Sequence, residues 1–168
     1  MQSYTTEQLH QALGARRLQT GQAGTIARLL LDSRQLQAPE SSVFFAIAGP
    51  HHDGHDYIKV LYEKGVRHFV ASRAVDASSL PEANIWICES TVRCLQRLAA
   101  HHRQLFDIPV IGITGSNGKT IVKEWLFQLL HPDYHIARSP KSFNSQVGVP
   151  LSVWQLQPEH QLGIFEAG

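Results

Sequence analysis

The chain carries almost no net charge: 15 Lys and Arg against 14 Asp and Glu leave it at +1. No basic field is present to hold nucleic acid, and there is no acidic tail. Cysteine is equally scarce. Cys88 and Cys94 are the only two, and they form neither a C-x-x-C nor a zinc-ligand pattern. Two such thiols fit a reducing, cytoplasmic setting, as small core or helix residues. Long hydrophobic runs are also missing. The longest, Val43 to Ala48, is far too short to cross a bilayer. The amino terminus carries Glu7 and lacks an apolar h-region, so no export signal is visible. Internal repeats and low-complexity tracts are absent. At 168 residues the chain is one large domain or two small ones, long enough for a core.

What is present is a glycine loop, Thr114-Gly115-Ser116-Asn117-Gly118-Lys119-Thr120, between the apolar run Ile108 to Ile113 and a stretch of helical periodicity. Strand, glycine loop, Lys-Thr and helix together form the arrangement that holds a nucleotide triphosphate. The glycines bring backbone N–H groups close to phosphate oxygens, and the following helix points its positive end at the same anion. Lys119 would reach the β- and γ-phosphates, and the Thr120 hydroxyl would complete the shell of a Mg²⁺ ion. The general P-loop has a glycine five residues ahead of the Gly-Lys pair. Ile113 stands there, with Gly112 one place too early. The bland alternative is an ordinary strand-to-helix turn rich in small residues.

Around this loop the chain reads as α/β. Thr5-Thr6-Glu7-Gln8 has the form of a capping box and starts a helix through Leu13, ended by Gly14. Strands are expected at Ile26 to Leu31, Val43 to Ile47, His68 to Ala71 and Ile85 to Cys88, with helices after Tyr57 and after Ser90. A boundary is expected at Asp107-Ile108-Pro109, since a helix should end before the proline. That gives residues 1–106 and 107–168 as two domains. Beyond it come a strand near 109–114, a helix near 118–130, a strand at Tyr134 to Ala137, a helix near 149–156 and a strand at Leu162 to Glu166. Ile121, Val122, Trp125, Leu126, Leu129 and Leu130 are expected to form the buried stripe of the helix after the loop. About 60 residues are few for a doubly wound nucleotide domain. The expectation is therefore a small amino-terminal α/β domain followed by the first part of a P-loop-type parallel-sheet domain, truncated from a longer enzyme.

Other constellations are weaker. Leu162 to Glu166 is a hydrophobic strand ending in a carboxylate, and ligands collect at the carboxyl ends of strands in open α/β sheets. Glu166 is thus a candidate Mg²⁺ ligand, against a plain solvent-facing glutamate. His51-His52-Asp53-Gly54-His55-Asp56 has one His-x-x-x-His spacing, but Gly54 argues for a loop and no matching ligand pair follows. In Asp32-Ser33-Arg34, a hydroxyl and a guanidinium at a strand end can bind a phosphate or a pyrimidine, or merely form a turn. Asn144, between Ser142 and Gln146, is either loop chemistry or a lining of the nucleotide site.

Together these pieces resemble the Mur ligase family, which builds the peptide stem of bacterial peptidoglycan. Its ATP loop has the form T-G-[ST]-N-G-K-[ST], which Thr114 to Thr120 match throughout. Asp32-Ser33-Arg34, Val43 to Gly49 and Asp53 to Ile58 are similar, in that order, to the family's small domain that grips a UDP-linked substrate. Val122-Lys123-Glu124 and Gly148-Val149-Pro150-Leu151 tilt the match toward the member that adds the terminal dipeptide. Ser142 and Ser145 depart from that member's pattern, which commonly has asparagines there.

The resemblance implies ATP-dependent amide formation between UDP-N-acetylmuramoyl-tripeptide and D-alanyl-D-alanine through an acyl phosphate, with ATP and Mg²⁺ as cofactors. It implies ATP contacts from Thr114, Gly115, Ser116, Asn117, Gly118, Lys119, Thr120 and Asn144, with Lys119 catalytic and Thr120 and Glu166 on the metal. It assigns Ser33, Arg34, Gly49, Asp53, Gly54 and His55 to the UDP end. The carboxy-terminal domains of the parent would lie beyond Gly168, and some members continue into an alanine racemase. Another Mur step, a folylpolyglutamate-type ligase, and a UDP-substrate-binding module that catalyses nothing alone remain as alternatives.

Overall fold

In the computed structural model, residues 2–50 and 52–168 are described, and they divide into two compact units at Arg97/Leu98. The first is built on a five-stranded sheet in the order β2 (Arg16–Gln19), β7 (Asn84–Ile87), β6 (His68–Ala71), β5 (Ser42–Phe45) and β4 (Arg28–Leu30). The last four strands run parallel and β2 is antiparallel to β7. Every residue of β5 and β6 is buried. Such near-continuous burial fits strands covered on both faces. Phe44 and Phe69 are neighbours in register and meet edge to face at 6.5 Å. With Leu30, Ile58, Leu61 and Ile85 they form the core of this unit.

Helix α1 (Thr6–Leu13) starts where its capping box predicts: Gln8 N–H donates to the Thr5 hydroxyl, and the Gln8 side chain accepts from Thr5 N–H. Helix α2 (Ile58–Glu63) carries the crossover from β5 to β6, and α3 (Thr91–Gln104) follows β7. Two elements differ from expectation. The run from Ile26 to Leu31 is not one strand. Thr25–Ile26 (β3) pairs antiparallel with Tyr4–Thr5 (β1), Ala27 donates its N–H to Ser41 O, and only Arg28–Leu30 joins the large sheet. Strand β2 was not expected at all, because Arg-Arg-Leu-Gln is polar and only half covered at a sheet edge.

The second unit is a three-stranded parallel sheet, with β10 (Leu162–Glu166) between β8 (Val110–Ile113) and β9 (Ile136–Arg138). Helices α4 (Lys119–Leu130) and α5 (Gly148–Val153) make the two crossovers. Leu126 and Leu130 pack on Ile113, Leu162 and Ile164. The expected buried stripe of α4 is otherwise corrected. Trp125 and Leu129 are 68% and 72% exposed, and Ile121 and Val122 are exposed too. The helix carries more apolar residues than one packed face can hold, and the sheet covers one side of it. Among the described residues no helix is long and apolar enough to cross a membrane.

His68 is buried in the first unit, stacked at 6.3 Å on Trp86. Burial pushes its imidazole down to about 4 from an ordinary 6.5. The fold holds the neutral ring, and the unfolded chain takes up a proton below about 6.5. The stabilisation is thus complete above 6.5 and is lost as pH falls toward 4. That span is worth on the order of 3 kcal/mol. Burial also pushes His55 and His102 down, in the same direction. Thermal melts across this pH range should therefore show the midpoint falling with acidity, less steeply in His68→Phe. An equal slope in that variant would exclude His68 as a contributor.

Candidate functional site

The glycine loop leaves β8 at Ile113 and enters α4 at Lys119. Gly115 and Gly118 take φ of 141° and 79°, a region that side-chain-bearing residues rarely adopt. No side chain caps α4, so the N–H groups of its first turn are left facing the loop. Lys119 Nζ donates to Gly115 O at 2.5 Å, folding the ammonium back over the loop.

Parallel pairing brings the carboxylate to this loop. Glu166 lies opposite Ile113 in register, and Ala167 N–H donates to Ile113 O. Glu166 is fully buried. Its Oε1 accepts from the Thr120 hydroxyl at 3.1 Å, and its Oε2 meets Lys123 Nζ at 2.8 Å. Its N–H donates to the Ser139 hydroxyl. Lys123 is also fully buried and donates further to the carbonyls of Ser139 and Lys141. Lys141 has a positive φ of 49°, a costly conformation for a lysine, in the segment that turns its carbonyl to Lys123. Next along the helix, Glu124 pairs with Arg138, whose guanidinium lies 3.8 Å from the Phe127 ring centroid.

Lys123 carries this geometry, and the residue pattern did not assign it a role. Its signal was positional: Lys119, Thr120 and Lys123 are spaced i, i+1 and i+4, on the face of α4 turned to the loop and the end of β10. Asn144 lies in the segment after β9, where its carbonyl accepts from Gly168 N–H. A hydroxyl and one carboxylate oxygen converging beside a phosphate loop are hard donors of the kind Mg²⁺ takes, so Thr120 and Glu166 fit that ion.

A second candidate site lies in the first unit. A cavity of about 300 Å³ is lined by Leu31, Ser33, Arg34, Phe44, Gly54 and Tyr57, among others. Asp32 accepts the Arg34 N–H and pairs with its guanidinium at 2.6 Å. That contact lowers the Asp32 carboxyl to about 2. Gly54 presses on the backbone of Ala46 and Ile47, where a Cβ would come within 2.7 Å of Ile47 N. Three of the UDP candidates are committed elsewhere. Gly49 N–H bonds His52 O. Asp53 pairs with Arg73 and meets His55 Nδ1 at 2.6 Å. His55 Nε2 accepts from Ser72 N–H at 3.1 Å, so its proton sits on Nδ1. Asp53 and His55 therefore brace the loop, while Ser33, Arg34 and Gly54 line the cavity. The His51 to His55 metal spacing falls partly outside the described residues. Among those described, no three His, Cys, Asp or Glu side chains gather as a metal site.

Residues 25–103 match the family model "Mur ligase family, catalytic domain". The chain is 33% identical over 141 residues to the UDP-N-acetylmuramoyl-tripeptide--D-alanyl-D-alanine ligase of Synechocystis sp., covering 84% of this chain and 30% of that protein. Over residues 25–103 the chain is thus similar to the Mur ligase family. The ligase of the same name from Bacillus subtilis is 31% identical, over 82% of this chain and 29% of its own. MurF from Acinetobacter baumannii superposes with a TM-score of 0.90 at 29% identity, over all of this chain and 36% of that one. MurF from Thermotoga maritima, solved in complex with ADP, gives 0.73 at 32% identity, over 83% and 31%. The chain thus spans about 30% of the length of the curated relatives named here. The family-model match lies on the first unit and its continuation into α3, short of Lys119.

Lys123→Met would leave Glu166 buried and unpaired, at a cost of about 3–5 kcal/mol. Urea unfolding should show that loss. Lys123→Met/Glu166→Met should recover part of it, the Ser139 and Lys141 carbonyls still lacking their donor. An unchanged urea midpoint in the single variant would mean the pair does not hold the site.

Proposed function

We propose that this chain supplies the UDP-substrate-binding and phosphate-binding parts of an ATP-dependent ligase that joins D-alanyl-D-alanine to UDP-N-acetylmuramoyl-tripeptide. The observation that carries this reading is the convergence of Lys119, Thr120 and Glu166 on a glycine loop at a helix amino terminus. We place the functional boundary at Asp107-Ile108-Pro109 and the reaction in the cytoplasm, a setting that keeps Cys88 and Cys94 as thiols.

The chemical task is to bring two anions together, a substrate carboxylate and the γ-phosphate of ATP. The carboxylate oxygen attacks phosphorus and ADP leaves, giving an acyl phosphate. The dipeptide amine attacks the acyl carbon, an amide forms, and phosphate departs with the amine losing a proton. Such a transfer is helped chiefly by positioning and by charge stabilisation. The N–H groups of Gly115 to Thr120 cradle the phosphates. Lys119 exchanges its bond to Gly115 O for the β- and γ-phosphate oxygens, and Asn144 lines the nucleotide. Thr120 and Glu166 would hold a magnesium ion, which would screen phosphate charge there. Lys123 holds one oxygen of Glu166, leaving the other turned to Thr120. At the UDP end, Ser33 and Arg34 contact the ligand in the cavity, Gly54 forms part of its wall, and Gly49, Asp53 and His55 brace the loop that carries Gly54.

The exposed apolar side of α4 favours a second reading of the isolated chain. With Trp125 and Leu129 uncovered on a three-stranded sheet, the ATP-binding half is thinly built. On that reading the chain binds the UDP substrate and ligates nothing alone.

Calorimetric titration separates these possibilities. The chain should bind UDP-N-acetylmuramoyl-tripeptide in preference to shorter stems, and indifference to all of them would sink the UDP assignment. Lys119→Ala should weaken Mg-ATP binding by roughly 100-fold, about the loss of one strong charge-assisted contact, with UDP-substrate binding unchanged. Arg34→Ala should show the opposite pattern. In the full-length parent, Lys119→Ala should abolish turnover; normal turnover would remove Lys119 from the phosphate role.

A further inference from the structure

Neither cysteine belongs to either candidate site, yet the fold brings them together. Cys88 follows β7 directly and donates its N–H to Ala71 O at 3.0 Å. Cys94 lies on the first turn of α3, its N–H donating to Ser90 O. Arg93 N–H bonds the Ser90 hydroxyl, which pins the strand-to-helix turn between them. The Cys88 thiol donates to Ala71 O at 3.6 Å, which holds it at the end of the sheet. Both line one cavity of about 490 Å³, with Arg16, Arg93 and Arg97 against the single carboxylate of Glu89.

Exposure divides the roles. Cys94 is buried, and Cys88 is half-buried at the cavity wall. A reagent entering the cavity therefore meets Cys88 first. The neighbouring Cys94 thiol and the charge of Arg97 both favour the Cys88 thiolate, whereas Cys88 and burial push the Cys94 thiol up. A thiolate-favouring, accessible sulfur beside a buried second thiol is the layout of an attacking and a resolving cysteine.

We propose that Cys88 and Cys94 form a reversible modification site for hydroperoxides. The Cys88 thiolate attacks a peroxide oxygen and the O–O bond breaks. Hydrogen peroxide then yields Cys88 sulfenic acid and, after proton uptake, one water. Cys94 sulfur attacks the sulfenic sulfur, the S–O bond breaks, and a second water leaves as the disulfide forms. Both thiols are oxidised, one peroxide is reduced, and a thiol reductant reverses the change.

The test is intact-mass analysis of the chain after hydrogen peroxide treatment under native conditions. The expected result is a loss of about 2 Da, one disulfide, reversed by dithiothreitol. Peptide mapping should place it between Cys88 and Cys94. Cys94→Ser should stop at a sulfenic acid on Cys88 that a cyclic 1,3-dione traps. Cys88→Ser should leave Cys94 at least roughly tenfold slower to react. No mass loss in the unmodified chain, a disulfide between two chains, or equal reactivity of Cys94 in Cys88→Ser would each overturn the proposal. The mass and mapping results on the unmodified chain decide it even if a variant folds poorly.

Discussion

Two fully buried, oppositely charged side chains, Lys123 and Glu166, tie together every element of the candidate phosphate site. Lys123 comes from α4 and Glu166 from the end of β10, while the segment after β9 supplies the carbonyls of Ser139 and Lys141. A charge placed in such an interior is costly unless its hydrogen-bonding capacity is met. Lys123 meets it with a carboxylate and two carbonyls. Glu166 meets it with Lys123, the Thr120 hydroxyl and the Ser139 hydroxyl at its backbone. The pair thus specifies where α4 sits on the sheet more sharply than Leu126 and Leu130 do, because apolar contacts tolerate sliding and a three-way ammonium does not.

The first unit solves a similar problem with smaller parts. Asp32, Asp53 and Asp76 each accept the N–H two residues on and open a short 3₁₀ turn. Such turns let the chain reverse without a long loop. Two of them, at Asp32 and Asp53, shape the wall of the 300 Å³ cavity. At Asp53 the turn is locked again by His55, whose Nε2 takes the Ser72 N–H. The polar wall is stiff before any ligand arrives, which lowers the ordering cost of binding.

Local features were legible in the chain and non-local ones were not. Thr114 to Thr120 announced itself because loop chemistry depends on adjacent residues, and the Thr5–Gln8 capping box did so for the same reason. The strand cores around Phe44 and Phe69 followed from their apolar runs. Strand β2 was hidden, since Arg16 to Gln19 has no strand-like composition and depends on β7 for its hydrogen bonds. The face of α4 was misjudged because periodicity counts apolar residues without saying what covers them. Lys123 was passed over for a related reason: lysine ordinarily marks a surface, and only the meeting of three chain segments makes it interior. Asp53 and His55 were assigned to the ligand end through the family resemblance of their segment. Their partners Arg73 and Ser72 are distant enough in sequence to be invisible.

The uncovered side of α4 also makes the molecule optically informative. Of the three tryptophans, Trp86 is fully buried, Trp154 is partly covered, and Trp125 stands 68% exposed on the helix that carries Thr120 and Lys123. The red edge of the emission therefore belongs largely to a single indole in wet surroundings. Anything that settles on that helix dries the indole and moves the spectrum to the blue, so the chain carries its own dye at the place where its surface is least finished.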